Sequence, residues 1–177
     1  VGIKQKIDKN TSYGLTLFRV ATDDKISLAT LGGVRAYYNM DSSRTKGVEF
    51  EIKHRLNRDW RTYLNYTFES GEITSDGETE HDWDIPKHML SFGIDYTKGN
   101  FNGVLDAQYV GARQSVDSVM GEYGSEDSFF LTNLYFNYNV NENLKLQFAV
   151  RNLFDRHFYA YEAANERTYT LGASYSF

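Results

Sequence analysis

Segment 155–167 brings aromatic and cationic side chains together in one polar stretch. Cationic groups hold anions, and aromatic rings stack on planar groups and attract cations. The segment therefore suits an anionic, aromatic ligand, and the alternative is that these side chains only pack the loop. We expect ligand contacts from this segment and from other polar segments, at Tyr37, Tyr38, Arg113, Tyr123, Arg156, His157, Tyr159 and Tyr161.

A second polar segment carries six carboxylates, whose oxygens are of the type that binds Ca²⁺. Their spacing does not reproduce an ordered calcium loop such as the EF-hand, so a solvated, self-repelling loop is the preferred interpretation. His81 and His88 lack a third convergent ligand for a transition metal. We therefore predict no metal site and no cofactor. The six carboxylates belong to Glu72, Asp76, Glu78, Glu80, Asp82 and Asp84.

Catalytic constellations cannot be assembled from this sequence. The chain has no cysteine, which excludes a thiolate zinc site and a cysteine nucleophile. His54 falls on an apolar strand face and His88 at the start of a strand, so neither is placed as a general base. Glu49 and Glu51 share a face, but within a run of mixed charge. We therefore predict that the protein is not an enzyme.

The elements that must position these residues are β-strands. Apolar and polar residues alternate with period two along most of the chain, as in Val48, Phe50 and Ile52 against Glu49 and Glu51. Helical spacing is hard to find. The pattern predicts nine strands, near 1–7, 13–22, 48–55, 60–69, 90–96, 101–109, 133–138, 144–151 and 168–177.

Composition excludes two classes of protein. Nineteen Lys and Arg against 24 Asp and Glu give a net charge of −5, which argues against binding to nucleic acid. A mean hydropathy of −0.56, without an apolar run of about eighteen residues, excludes a transmembrane helix. It does not exclude a membrane barrel, whose strands need an apolar residue only at every second position.

Short and long connections alternate between the predicted strands. The short ones are 8–11, 57–59, 98–100 and 139–143, and the long polar loops are 23–45, 71–86, 116–127 and 153–167. Successive connections of an up-and-down antiparallel sheet fall at opposite ends, so this sheet has one tight and one elaborated end, as in outer-membrane barrels. A soluble β-sandwich also alternates, but it explains less well the aromatic residues near the strand ends.

Six strings of residues resemble the C-terminal barrel of TonB-dependent outer-membrane receptors, and they occur in the order found in that family. Each string alone is weak, whereas the ordered series is a strong signal over about residues 34–177. The strings are 47–51 (GVEFE), 65–68 (NYTF), 85–88 (IPKH), 109–111 (YVG), 152–155 (NLFD), and Arg167 with Tyr169 before the terminal Phe177.

The resemblance implies an all-β, antiparallel, up-and-down transmembrane barrel of about 22 strands, located in the bacterial outer membrane. Residues 1–177 would be its C-terminal portion, nine strands or so, with the plug domain and the N-terminal strands outside this chain. Receptors of this kind take up scarce ligands, most often ferric siderophores, with energy from TonB. The implied partners are outer-membrane lipid and lipopolysaccharide, a ferric siderophore or similar chelate, and TonB through the N-terminal region.

Three alternatives stay open at this point. One is a complete small barrel of eight strands with a structural or adhesion role, whose length fits this chain well. A second is a receptor of the same kind for haem, cobalamin or a glycan. The third, an outer-membrane lipase or protease, is the weakest because the sequence commits to no catalytic dyad.

Overall fold

The computed structural model describes residues 1–31, 33–116, 123–160, 162–163 and 166–177, all without helix. For some of these residues the structure describes the backbone alone, namely 27–31, 38, 40, 41, 115, 116, 123, 159, 160, 162 and 163. Nowhere in these ranges is there a helix long and apolar enough to cross a membrane. The chain is all-β, as the alternation predicts.

One antiparallel sheet of ten strands contains nine that follow one another in space largely in the order of the sequence, and the tenth, β5 (Glu78–Asp82), pairs with β4 beside this series. This meander confirms the predicted up-and-down topology. Neither outer strand pairs with the other within the described ranges, so the sheet is part of a barrel rather than a closed one. In spatial order the strands are β1 (Gly2–Lys6), β2 (Thr11–Leu31), β3 (Val34–Arg55), β4 (Trp60–Ser75), β6 (His88–Lys98), β7 (Phe101–Val110), β10 (Phe129–Asn139), β11 (Leu144–Arg151) and β14 (Thr168–Tyr175).

The short connections are tight turns closed by side-chain oxygens. Asp8 Oδ1 accepts hydrogen bonds from the backbone N–H groups of Asn10 and Thr11, at 2.6 and 2.7 Å. Asn57 and Asn141 accept the corresponding pairs in two further turns. Asp and Asn favour turns because their short side chains reach the backbone two and three residues ahead. The hydrogen bonds formed by Asp8 also lower the pKa of its carboxyl group.

The long connections differ from the sequence prediction, because much of their length is strand. Residues 23–45 continue β2 and β3 as one long hairpin, and β5 (Glu78–Asp82) pairs back onto β4. Two small hairpins occupy the others, β8 (Arg113–Val116) with β9 (Tyr123–Glu126), and β12 (Tyr159–Ala160) with β13 (Glu162–Ala163). The prediction was wrong because both faces of the long hairpin at 23–45 mix polar and apolar residues, so no clean alternation marks it.

One face of the sheet is apolar and lies open. Three residues of the predicted apolar faces are exposed, Leu146 by 42 %, Phe148 by 39 % and Leu171 by 82 %. Within the described residues, Ala107 and Val150 are the hydrophobic residues that are buried. A soluble protein of this length buries a substantial apolar core. The apolar face must therefore be covered by something other than the described chain, and lipid hydrocarbon satisfies that requirement.

Aromatic side chains form a belt along the apolar face near the short turns. Trp60 lies 4.5 Å from Tyr96, measured between ring centroids, and the series continues through Phe101 and Phe136 to Phe148 at 6.0–6.3 Å steps. The belt therefore crosses β4, β6, β7, β10 and β11. Aromatic belts of this kind mark the interface between hydrocarbon and water.

The opposite face is polar and bonded across strands. Tyr63 on β4 donates a hydrogen bond to Asp106 Oδ2 on β7 at 2.6 Å, so its ring passes over β6 at Gly93. A Cβ at Gly93 would lie 2.1 Å from the Tyr63 ring. Lys4 on β1 reaches Glu51 on β3 at 2.7 Å in the same way, across Gly14. Both contacts span three strands because the middle strand carries a glycine.

Candidate ligand-binding site

The predicted ligand residues that the structure describes belong to the long-loop end of the sheet, but several lie in strands rather than loops. Tyr37 and Tyr38 are in β3, Arg113 is in β8, Tyr123 is in β9 and Tyr159 is in β12. Arg156 and His157 precede β12. Tyr161 lies outside the described residues, and for Tyr38, Tyr123 and Tyr159 the description covers the backbone.

The last loop is held by Asn152, which is buried and has a positive φ of 52°. Its amide group donates to the carbonyl of Arg156 at 2.9 Å and accepts from the Arg156 N–H at 2.8 Å. Its backbone N–H donates to the Asn133 side chain on β10 at 3.0 Å. Asparagine tolerates this left-handed conformation better than most residues. The turn that presents Arg156 is therefore fixed to the wall of the sheet.

A second clasp joins the two ends of the same loop. The backbone N–H of Arg167 donates to Asp155 Oδ1 at 2.7 Å, and its guanidinium lies 3.5 Å from Asp155 Oδ2. The guanidinium also donates to the Leu153 carbonyl at 3.2 Å. The hydrogen bond from the Arg167 backbone, with the positive charges of Arg167 and His157, lowers the pKa of Asp155 against a smaller opposing effect of desolvation.

The loop closed by this clasp presents exposed cationic groups. The Arg156 and His157 residues are exposed, and His157 Nε2 lies 3.5 Å from Glu166. The adjacent Phe158 is anchored, because its ring stacks on Phe129 of β10 with centroids 4.2 Å apart. A rigid base with exposed cations beside it fits the predicted contact with an anionic, aromatic ligand.

Arg113 has a different environment from Arg156. It stands directly opposite Glu126 in the hairpin of β8 and β9, with Nε 2.6 Å from Glu126 Oε2. Both side chains are largely buried, with exposed fractions of 12 and 8 %. A buried guanidinium needs such a partner, since removal from water costs several kcal/mol per charge (order of magnitude). Arg113 therefore fixes the hairpin, and its charge is balanced within it.

Neighbouring loops are joined side by side. The N–H of Gln114 on β8 donates to the carbonyl of Trp83 at 2.9 Å. The turn beside Trp83 carries Asp82, which is buried, and Asp84. Desolvation, followed by the negative charge of Asp82, raises the pKa of Asp84, whereas Arg113 acts in the opposite direction. Two neighbouring loops of the long-loop end, which we call the rim, are thus joined to each other.

The six carboxylates of the predicted acidic loop do not converge. The turn Asp76-Gly77 has positive φ at both residues, and it sends Glu78 and Glu80 along exposed positions of β5. Glu72 lies 3.7 Å from Lys46. Across the described residues, no group of three His, Cys, Asp or Glu side chains is arranged to hold a metal ion. The calcium alternative has no support from this geometry.

The sequence analysis did not predict several residues that shape the rim. The sequence signals that could have identified them differ from residue to residue. Asn152 and Asp155 belong to the string 152–155, which marks the family resemblance but not the clasp. Asp76-Gly77 is a strong sequence signal for a two-residue hairpin. Glu126 has no local signal, because its partnership with Arg113 depends on the register of the hairpin.

Comparison with known proteins agrees with this architecture. The family model described as TonB dependent receptor-like, beta-barrel, matches residues 1–153. The ferric-pyoverdine BN7/BN8 receptor of Pseudomonas putida is 24 % identical over 165 residues, covering 90 % of this chain and 19 % of that receptor. The catecholate siderophore receptor Fiu of Escherichia coli K12 is 23 % identical over 193 residues, covering all of this chain and 25 % of Fiu.

Solved structures show the same fold. The copper transporter OprC superposes with a TM-score of 0.80 at 20 % identity, covering 99 % of this chain and 30 % of OprC. The chain therefore spans about a fifth to a third of these proteins. The relatives are named for ferric siderophores and the structural neighbour for copper, so the fold is compatible with more than one cargo.

Proposed function

This chain belongs to the TonB-dependent receptor family of outer-membrane β-barrel proteins, and we propose that it forms part of the wall of a receptor for a ferric siderophore. The family is one of receptors and transporters rather than enzymes. The observation that carries the proposal is the loop clasped by Asp155 and Arg167, which presents Arg156 and His157 on a rigid base. Ferric siderophores of the catecholate type are anionic and aromatic, which matches these groups.

We propose further that the nine strands are the last part of a barrel of about 22, with a plug domain contributed by residues outside this chain. The open edges at β1 and β14 support the larger barrel, because unpaired backbone groups at a strand edge are not tolerated in lipid. Energy would come from TonB through the N-terminal region. Outer-membrane lipid would cover the apolar face.

A plug domain would also face a pair of like charges on the polar face near the short turns. Arg55 stands directly opposite Arg61, and both are exposed. Like charges in directly opposite positions destabilise a sheet unless an anion lies between or above them. Neither guanidinium has an ion pair within the described residues. Asp95 of β6 stands directly opposite Arg61, so an acidic segment of the plug against this part of the lumen would compensate chiefly Arg55.

Growth of a strain that lacks the complete receptor tests the ligand assignment. The panel contains ferric catecholate, ferric pyoverdine and ferric hydroxamate chelates, haem, cobalamin and a copper salt. We expect loss of growth on one ferric siderophore, restored by the wild-type gene. Normal growth on every ferric siderophore, with a defect on haem, cobalamin or copper, would contradict the siderophore assignment and leave the fold intact.

The candidate contacts are tested in the complete receptor with the chelate that the growth panel identifies. Replacing both Arg156 and His157 with Gln should weaken binding about tenfold, because an exposed guanidinium and an exposed imidazole no longer face an anionic ligand. Replacing Arg58 with Gln is the matched control, since Arg58 is an exposed cation at the short-turn end. Equal affinity of the double variant and the control, measured by fluorescence quenching, would remove Arg156 and His157 from the site.

A further inference from the structure

A continuous path of hydrogen bonds crosses the polar face of the sheet from β4 to the last loop. Tyr63 donates to Asp106 Oδ2 at 2.6 Å, and the side-chain amide of Asn133 donates to Asp106 Oδ1 at 3.3 Å. The side-chain oxygen of Asn133 accepts from the backbone N–H of Asn152 at 3.0 Å. Asn152 then holds Arg156 through two hydrogen bonds, at 2.9 and 2.8 Å. These residues, from β4, β7, β10 and the last loop, therefore form one network.

The network follows a single row of paired residues across the strands. In this row, Tyr63 of β4 is followed by Gly93 of β6, Asp106 of β7 and Asn133 of β10. Tyr63 lies near the start of β4 at the short-turn end, whereas Asn152 directly follows β11 at the long-loop end. Because the strands of a barrel are tilted by about 40°, a row of pairs climbs along the barrel axis. The network thus connects the short-turn end of the wall with the last loop.

Two members of the network, Asn133 and Asn152, are buried. The Asn133 side chain uses its amide donor toward Asp106 and its oxygen toward Asn152, so its loss would deprive both neighbours of this partner. A buried polar group that loses its partner is costly, and the chain around it shifts to find another. The position of Asn152, and with it the turn that carries Arg156, therefore depends on Asn133.

We propose that Asn133 is a positioning residue for ligand binding, which holds the last loop so that Arg156 and His157 face the ligand. Asp106 and Tyr63 hold Asn133 in turn, so they act on the same loop from farther down the wall and with a smaller effect. This inference rests on the proposed function, because it concerns the contacts that Arg156 and His157 make there. A network that only stabilised the wall would change the stability of the receptor and leave its affinity intact.

The affinity of the complete receptor tests the proposal, with the compound of the growth panel that the receptor takes up as the probe. Asn133→Ala should weaken binding about fivefold, which corresponds to the net value of one hydrogen bond. Tyr63→Phe removes only the far end of the network and should weaken binding about twofold. Fluorescence quenching measures both variants.

Asn137→Ala is the matched control for Asn133→Ala. Asn137 lies four residues away on the same strand and the same face, and its hydrogen bonds join Asn102 and Gln147 rather than the last loop. This variant should bind the probe as the wild type does. Equal affinity of the Asn133→Ala and Asn137→Ala receptors would overturn the proposal.

A double-mutant cycle separates positioning from a general effect on the receptor. In a receptor that already carries Arg156→Gln and His157→Gln, Asn133→Ala should cause no further loss of affinity, because the groups that it positions are absent. The same fivefold loss in both backgrounds would overturn this inference alone. Unchanged affinity of the Arg156 and His157 variant would instead contradict the ligand contacts of the proposed function.

Hydrogen exchange of the ligand-free receptor gives a measurement that needs no probe. The backbone amide of Arg156, which donates to Asn152, should lose protection from exchange in Asn133→Ala and keep it in Asn137→Ala. If Asn133→Ala fails to give a heat-modifiable folded band, Tyr63→Phe takes its place, since it removes one hydroxyl group and keeps the ring. Full protection of the Arg156 amide in a folded variant of the network would overturn the role of the path.

Discussion

At the scale of single residues, glycine lets side chains reach across a whole strand. Tyr63 passes over Gly93 to donate to Asp106, and Asp106 accepts a second hydrogen bond from Asn133 at 3.3 Å. Lys4 passes over Gly14 to Glu51. Because a polar lumen offers water as a competitor, a contact of this kind stabilises the wall only if the groups are held close. The missing Cβ provides that proximity.

Gly93→Ala is expected to destabilise the complete receptor by about 2 kcal/mol, because the new Cβ displaces the Tyr63 ring and breaks its bond to Asp106. Gly172→Ala on the polar face of β14 is the control. A Cβ there would meet Gln147 at 3.7 Å, an ordinary contact. Urea unfolding in detergent measures both variants, and equal stability of the two would disprove the role of Gly93.

The clasp of the last loop should respond to acid at the residue scale. Asp155 has a lowered pKa in the folded protein, so its ionised form stabilises the last loop fully above the ordinary pKa of aspartate, about 3.9. This stabilisation is lost as the pH falls through the lowered pKa of Asp155. Hydrogen exchange should therefore show that the backbone amide of Arg167 is protected from exchange at pH 5 and 7 and loses this protection at lower pH.

Asp155→Asn is the control for this pH dependence. Asparagine keeps an acceptor oxygen but has no charge, so the Arg167 amide should be less protected and its protection should no longer depend on pH in the acid range. An Asp155→Asn variant whose protection still falls with acid would show that another group controls the loop.

At the scale of elements, each strand divides its residues between an apolar face and a polar face. Leu105 on β7 belongs to the apolar face, and the adjacent Val104 belongs to the polar face, opposite Asp95. The long strands β2 and β3 have 21 and 22 residues, about twice what a membrane crossing needs. The excess extends the sheet beyond the membrane and supports the rim.

Leu105→Arg and Val104→Arg are a matched pair for this sorting. The first places a charge against hydrocarbon and should cost about 2–4 kcal/mol, whereas the second places it in the wet lumen beside Asp95 and should cost little. Unfolding of the complete receptor in lipid bilayers gives the two free energies. Similar losses for both variants would mean that Leu105 does not face lipid.

At the scale of the whole molecule, the described chain has an exposed apolar band and two open edges. The apolar band needs lipid and the two edges need partner strands, so the 177 residues form part of a barrel wall and not a closed barrel. Tyr63, Asp106 and the clasp at Asp155 act within this wall. Under the proposed function, transport and cargo specificity would belong to the assembled receptor.

Residues 1–177 expressed with an export signal should not give a compact, heat-modifiable monomer in outer membranes, because each open edge would leave backbone groups unpaired in lipid. The complete receptor is the control and should show the mobility shift. A folded monomer of the 177 residues would instead favour the alternative of a complete small barrel.

The alternation of residues determined the nine successive strands of the main sheet, their order and their lipid-facing positions, because successive residues of a membrane strand face lipid and the lumen in turn. The hairpins beyond the membrane were missed, since water lies on both sides of them and each face mixes polar and apolar residues. The candidate ligand end could be predicted as aromatic and cationic at Arg156 and His157. Only the tertiary structure showed that Arg113 is paired with Glu126, and that Tyr63 reaches Asp106 across Gly93. Those contacts depend on the register between strands, which brings together residues that no local pattern connects.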